Sequence, residues 1–76
     1  MFNVFDKSGR VYKCKFLFNF SQDDKNYIVY LDNDEEILAS FYEMEGDRVV
    51  IFPIYDDKDF DIIDREIARR SEANEI

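Results

Sequence analysis

"IFPIYDDKDFDIIDREIARR", residues 51–70, begins as an apolar run, passes into four aspartates within the six residues 56–61, and ends in mixed charge. Pro53 has no N–H to give to a β ladder, so a strand reaching it ends there or lies at an edge. Beyond Asp57, the apolar Phe60, Ile63 and Ile67 recur at i, i+3 and i+7, the stripe of an amphipathic helix. The aspartates then have a structural reading. Asp56 or Asp57 caps the helix, Asp59 and Asp61 sit in its first turn near the positive end of the dipole, and Arg65, Arg69 and Arg70 lie towards the negative end. The pairs Asp61 with Arg65 and Glu66 with Arg70 have the favoured acid-first i, i+4 order, worth about 0.2–0.5 kcal/mol each.

Upstream of Pro53 the chain reads as strands. "VYKCKFLFNF", residues 11–20, alternates: Tyr12, Cys14, Phe16, Phe18 and Phe20 fall on one face, Lys13, Lys15 and Asn19 on the other, and Leu17 is the misfit. "FNVF" before it is a first short strand, joined by the turn-forming "DKSGR". "YIVYL" is apolar on both faces and is expected at a central position. In "ILASFYEM" the sets Ile37, Ala39, Phe41 and Leu38, Ser40, Tyr42 are equally apolar, so the period does not choose a face. Gly46 in "EGD" suits a hairpin into "RVVIF", a fifth strand. The expected fold is α+β: a twisted five-stranded antiparallel meander with one C-terminal amphipathic helix over an aromatic face, closure into a small SH3-like barrel being the alternative. Lys13 and Lys15 are expected to lie opposite acids of a neighbouring strand. One domain spans residues 1–76, with 71–76 a frayed tail.

Eighteen acids against ten bases leave a formal charge of −8, which opposes binding to nucleic acid, an anionic membrane or an acidic partner surface. The charge is uneven: residues 1–22 carry one acid and four bases, a net of +3, while residues 23–64 carry a net of −11. The single cysteine excludes an intramolecular disulfide, no apolar run approaches the ~18 residues that span a bilayer, and the N-terminal sequence has no signal-peptide pattern. A cytoplasmic domain is the expectation.

Histidine is absent, which removes the commonest general acid–base residue and metal ligand, and two glycines cannot build a phosphate-cradling loop. Asp32, Asp34, Glu36 and Glu43 match positions 1, 3, 5 and 12 of an EF-hand loop, but Ile37 stands where the sharp turn needs glycine and the flanks read as strands. Cys14 belongs with the aromatic face as a small buried hydrophobe. The expectation is a non-enzymatic domain without metal or cofactor.

The segments "FLFNF", "YIVY", "EILASF", "IFPI" and "DDKDFDIIDREI" follow one another in an order and spacing that resembles the YrzB-like family, small acidic bacterial proteins of unknown function, over roughly residues 11–70. The resemblance implies a bacterial, cytoplasmic, independently folding domain and brings no catalytic residue with it. Function is therefore read from charge. One reading is a protein-interaction module in which Asp32, Asp34, Glu35, Glu36, Asp56, Asp57, Asp59 and Asp61 meet a basic partner surface. The other is a nucleic-acid mimic, of the anti-restriction or anti-CRISPR type, whose carboxylates occupy the phosphate groove of a nuclease or other nucleic-acid enzyme. The chain is expected as a monomer or a weak homodimer pairing through the edge of "FNVF".

Overall fold

The computed structural model describes residues 2–74. Five strands, β1 (Phe2–Phe5), β2 (Val11–Gln22), β3 (Lys25–Leu31), β4 (Ile37–Glu45) and β5 (Arg48–Phe52), are followed by one helix, α1 (Asp57–Glu72). Sequential neighbours pair antiparallel, and β1 meets β5 at Phe5 and Val50 to close a barrel. That closing pair is parallel. An odd-numbered meander leaves its first and last strands pointing the same way, so closure requires it. β1 thus lies between β2 and β5 and is not a sheet edge.

The turns follow local chemistry. Gln22 pairs with Lys25, and the two residues between them, Asp23 and Asp24, have φ of 53° and 65°. Positive φ at both positions is the type I′ pattern whose twist matches a hairpin, and aspartate tolerates it better than most side chains. Gly46, at φ 65°, serves the turn between β4 and β5. In the first turn the Asp6 carboxylate accepts from the Ser8 hydroxyl, the backbone N–H groups of Ser8 and Arg10, and the Tyr12 hydroxyl. These bonds, the Ser8 hydroxyl foremost, hold its pKa down at about 2.

A bulge in β2 decides where the aromatics go. Phe16 pairs with Tyr30 but Phe18 with Val29, so Leu17 is the inserted residue. Tyr30 and Val29 are adjacent on β3 and face opposite sides. Residues 14 and 16 therefore share a side with Tyr30, and residues 18 and 20 share a side with Val29. The five even-numbered residues of β2 do not form one face.

Two apolar clusters result. Val4, Cys14, Ile28 and Tyr30 fill the barrel, flanked by Phe2, Tyr42, Val49 and Ile51. Phe18, Tyr27, Val29, Ile54 and Ile63 form a second layer between the barrel's outer surface and α1. β3 reads as apolar on both faces because both are buried: Tyr27 and Val29 lie under the helix, Ile28 and Tyr30 inside the barrel. The ambiguity of β4 has the same origin, since Ala39 and Phe41 pack under α1 while Tyr42 packs inside.

Asp56 is the N-cap of α1, extended at φ −90° and ψ 129°, and its side chain accepts from the Lys58 N–H at 3.0 Å. Arg69 and Arg70 occupy the last turn, both bonded to Glu66. The buried stripe is rotated from the expected one. Ile63 is 3% exposed with Ile62 and Ile67 beside it, but Phe60 is 43% exposed and Asp59 is 3% exposed. Ser71 and Glu72, expected in a frayed tail, are the last residues of α1, while 75 and 76 lie outside the described residues.

Candidate functional site

The sequence-predicted acids divide into two groups at opposite ends of β3. That strand runs from Lys25, which contacts Asp59 at the start of α1, to Leu31, which leads into residues 32–36. Its length, about 20 Å at ~3.3 Å per residue, separates Asp56, Asp57, Asp59 and Asp61 from Asp32, Asp34, Glu35 and Glu36. They form no single surface.

Within the loop, the Asp32 carboxylate accepts from the backbone N–H groups of Asp34 and Glu36 at 2.8 and 2.9 Å. Asp32 is therefore a turn residue, and Glu35 takes φ 62° in the same turn. Asp34, Glu35 and Glu36 are exposed. Glu43, the last of the EF-hand-spaced acids, lies on β4. Among the described residues no group of three or more His, Cys, Asp or Glu is placed to hold a metal ion.

At the other end Asp59 departs most from expectation, for it is buried and not part of an acidic surface. The Tyr27 hydroxyl donates to Asp59 Oδ1 at 2.6 Å, and Lys25 Nζ lies 3.3 Å from the same atom and 5.5 Å from the centroid of the Phe41 ring. A carboxylate taken out of water must be paired, and here a phenol and an ammonium meet it. The Tyr27 bond, followed by Lys25, lowers the Asp59 pKa despite burial. Tyr27 shifts the opposite way, first through its own burial and then because it already donates to Asp59. At the far end of α1 the Arg70 guanidinium sits 4.2 Å from the Phe18 ring centroid, so the helix is pinned at both ends.

Beside Asp59 opens a groove with a volume of about 500 Å³, between the β2–β3 turn, the middle of β4 and the segment entering α1. Asp24, Glu43 and Asp56 line it together with Phe41, Tyr42 and Tyr55. Tyr55 is 85% exposed. Ile54 next to it is buried under α1, and Pro53 precedes it, so the backbone is tied on one side and the phenol projects. Asp24, Glu43 and Tyr55 were not among the predicted contacts. Tyr55 alone carried a signal, as an aromatic belonging to neither the strand alternation nor the helix stripe.

A second concavity, about 650 Å³ in volume, opens into the barrel between the start of β2 and the end of β5. Val11, Tyr12, Leu38 and Ile51 form its apolar walls, and Cys14, Tyr30 and Ser40 lie deeper. The Tyr30 and Ser40 hydroxyls bond each other at 3.0 Å and satisfy one another. Burial raises the Cys14 thiol pKa, which disfavours the reactive thiolate.

Among the described residues no helix is long and apolar enough to cross a membrane. No curated protein and no solved structure matches the chain. A family model matches residues 8–72, from the first turn through the whole of α1, which includes the bulged β2, the Tyr27–Asp59 pair and the groove at Tyr55. The chain belongs to the family described as "Protein of unknown function (DUF1292)".

Proposed function

We propose that this chain is a small acidic, non-enzymatic interaction domain that binds a basic surface or segment of a partner protein. The observation that carries the reading is Tyr55, exposed beside a groove lined by Asp24, Glu43 and Asp56. An arginine or lysine entering that groove gains a carboxylate partner and an aromatic face together, and the cation–π part is worth about 0.5–1 kcal/mol at an exposed site. Asp57 and Asp61 extend the negative surface along the exposed side of α1. Asp34, Glu35 and Glu36, at the far end of β3, act through the long-range field and raise the association rate. The resemblance to YrzB-like proteins supports a bacterial cytoplasm as the setting.

The test is an NMR titration of the whole chain with a short arginine-rich peptide at low and moderate salt. Shifts centred on Asp24, Glu43 and Tyr55, weakened by salt and removed by Tyr55→Ala, are the expected outcome. Equal shifts at both acidic ends, untouched by Tyr55→Ala, would refute the groove. Duplex DNA is the discriminating competitor: if a captured partner exchanges the domain for DNA, the chain is a nucleic-acid mimic instead.

A further inference from the structure

The barrel is open along one seam. β2 and β3 pair from Lys15 and Leu31 onward, so residues 11–14 of β2 have β1 on one side and no described strand on the other. β3 leaves the seam because the chain turns: Asp32 N–H bonds the Glu36 carbonyl at 3.1 Å, and the Asp32 carboxylate accepts from the N–H groups of Asp34 and Glu36.

Which backbone groups face the seam follows from the ladder. Asp6 N–H bonds the Arg10 carbonyl at 3.0 Å, and bonded pairs alternate along an antiparallel ladder, so Tyr12 and Cys14 direct their N–H and C=O groups to β1. Val11 and Lys13 direct theirs into the seam. The same count from the Asp32–Glu36 bond turns Leu31 towards β2, which makes Lys15 and Leu31 the last bonded pair. Lys13 and Val11 are the next two places on that ladder, and no described residue fills them. Their side chains point outward, where Lys13 lies opposite Asn3 and Lys15 opposite Leu31, in place of the acids expected from the sequence.

The inner face is left open at the same place. Tyr12 pairs with the buried Val4 and Leu38 with the buried Tyr30, so both face the barrel interior, yet they are 41% and 39% exposed. They wall the cavity of about 650 Å³, which runs along residues 11–14 and has Tyr30 and Ser40 deeper in it. Asp6, Asp32 and Lys13 line it in mixed sign, so charge does not choose the occupant. Backbone does. Two N–H and two C=O groups at strand spacing beside an apolar cavity complement an extended chain that bonds through its main chain and turns alternate side chains inward. We infer that residues 11–14 of β2 and this cavity bind an extended, uncharged segment of a partner protein. The segment adds a short strand antiparallel to β2, in the line that β3 vacates, and places an apolar side chain between Tyr12, Leu38 and Ile51. Its sense is that of the Lys15–Leu31 pair it continues. A small apolar molecule would fill the cavity but leave the four backbone groups unpaired, and a second barrel would have to bring a whole sheet into a seam that Asp32 and Asn33 already border. The site is separate from the acidic groove at Tyr55, which selects a cation.

The experiment is an NMR titration of the whole chain with the blocked, uncharged peptide acetyl-Thr-Leu-Thr-Leu-Thr-amide, beside two counterparts N-methylated at every Thr or at every Leu. With Leu turned inward, the Thr residues stand opposite Val11 and Lys13 and their N–H groups point at β2. The amide protons of Val11 and Lys13 should move downfield, with side-chain shifts at Tyr12 and Leu38. Methylation at Thr should weaken binding about tenfold or more, and methylation at Leu should leave it in place. Val11→Pro removes a seam-facing N–H and no bond to β1, and Leu38→Ser trims a half-exposed wall, so each should weaken binding with an unchanged circular dichroism spectrum. Tyr55→Ala should have no effect. Failure of the peptide to bind, or equal loss from the two methylations, overturns the inference. Full binding of the Thr-methylated peptide overturns it in favour of any apolar group, and shifts at Val11 and Lys13 that follow protein concentration without peptide overturn it in favour of a second copy.

Discussion

Inside the barrel, Val4, Cys14, Ile28 and Tyr30 pack around one neutral polar pair, the Tyr30 and Ser40 hydroxyls. Between the barrel and α1, Phe18, Tyr27, Val29, Ile54 and Ile63 pack beside an ionised one, Asp59 with Tyr27 and Lys25. Both layers bury apolar surface, but only the second places a charge where water is excluded. The difference is one of tolerance. Two hydroxyls can rotate and re-pair, whereas a buried carboxylate fits at a single position, so it aligns α1 as well as anchoring it. We predict that the barrel layer sets how stable the domain is and the ionic layer sets how the helix sits.

The largest effect should come from the core residues. Ile28→Ala removes a side chain 2% exposed inside the barrel and should cost about 2–5 kcal/mol, a large share of the ~5–15 kcal/mol typical of a whole domain. Chemical denaturation should show the barrel and α1 lost together. Ile63→Ala deletes the same atoms beneath α1, where the helix can settle into the gap, so its cost should fall at the lower end of that range. Hydrogen exchange should then quicken in α1 while β3 stays protected. Equal loss of protection in α1 and β3 would mean that the two layers are one cooperative unit.

Next in size is Tyr27→Phe, which strips the buried carboxylate of its shortest hydrogen bond and should cost about 1–3 kcal/mol. Tyr30→Phe, which leaves a hydroxyl free to turn, should cost about 0.5–1.5 kcal/mol. Denaturation midpoints of the two variants compare the layers directly. If they match, ionisation adds nothing to the second layer.

Acid should also separate the layers. Asp59 has a folded pKa below its ordinary 3.8, so its contribution is fully present above 3.8 and disappears as pH falls through the lower folded value. The contacts of α1 should loosen in that window before the barrel interior, where no carboxylate is buried among the described residues. Carboxyl chemical shifts against pH should show Asp59 titrating below 3.8, and Tyr27→Phe should move that titration upward. Asp59→Asn should abolish the helix-specific step. An Asp59 that titrates like a free aspartate would contradict the pairing.

The smallest effect belongs to Glu66, which bonds Arg69 and Arg70 on the more open part of α1. Glu66→Gln should cost about 0.2–0.5 kcal/mol, with the loss shrinking in high salt. A loss as large as that of Tyr27→Phe would show that the helix end, not Asp59, holds the layer.

Much of this was legible before folding was considered. The strand segments, the stop at Pro53, the cap at Asp56 and the run of α1 are local, and each appears where the sequence places it, although the bulge splits the alternation of β2 and the buried stripe of α1 is rotated onto Asp59. Even the failures left marks: Leu17, the misfit in an otherwise clean alternation, is the bulge. The candidate site was less legible. Eight acids close in sequence or in charge pattern were read as one surface, yet β3 holds them apart, the turn at Asp32 uses one, and α1 buries Asp59. Tyr55, Asp24 and Glu43 converge only when three separate elements meet.

By itself, then, the sequence determined which segments are strands and where the helix begins. Those properties rest on side-chain periodicity, proline geometry and capping, all of which act over a few residues. Only the tertiary structure decided that the meander closes, that β2 sends Cys14 inward and Phe18 outward, and that α1 turns Asp59 towards Tyr27 in place of Phe60. Each of these outcomes depends on which distant surface a residue is pressed against, and a local period has no term for that.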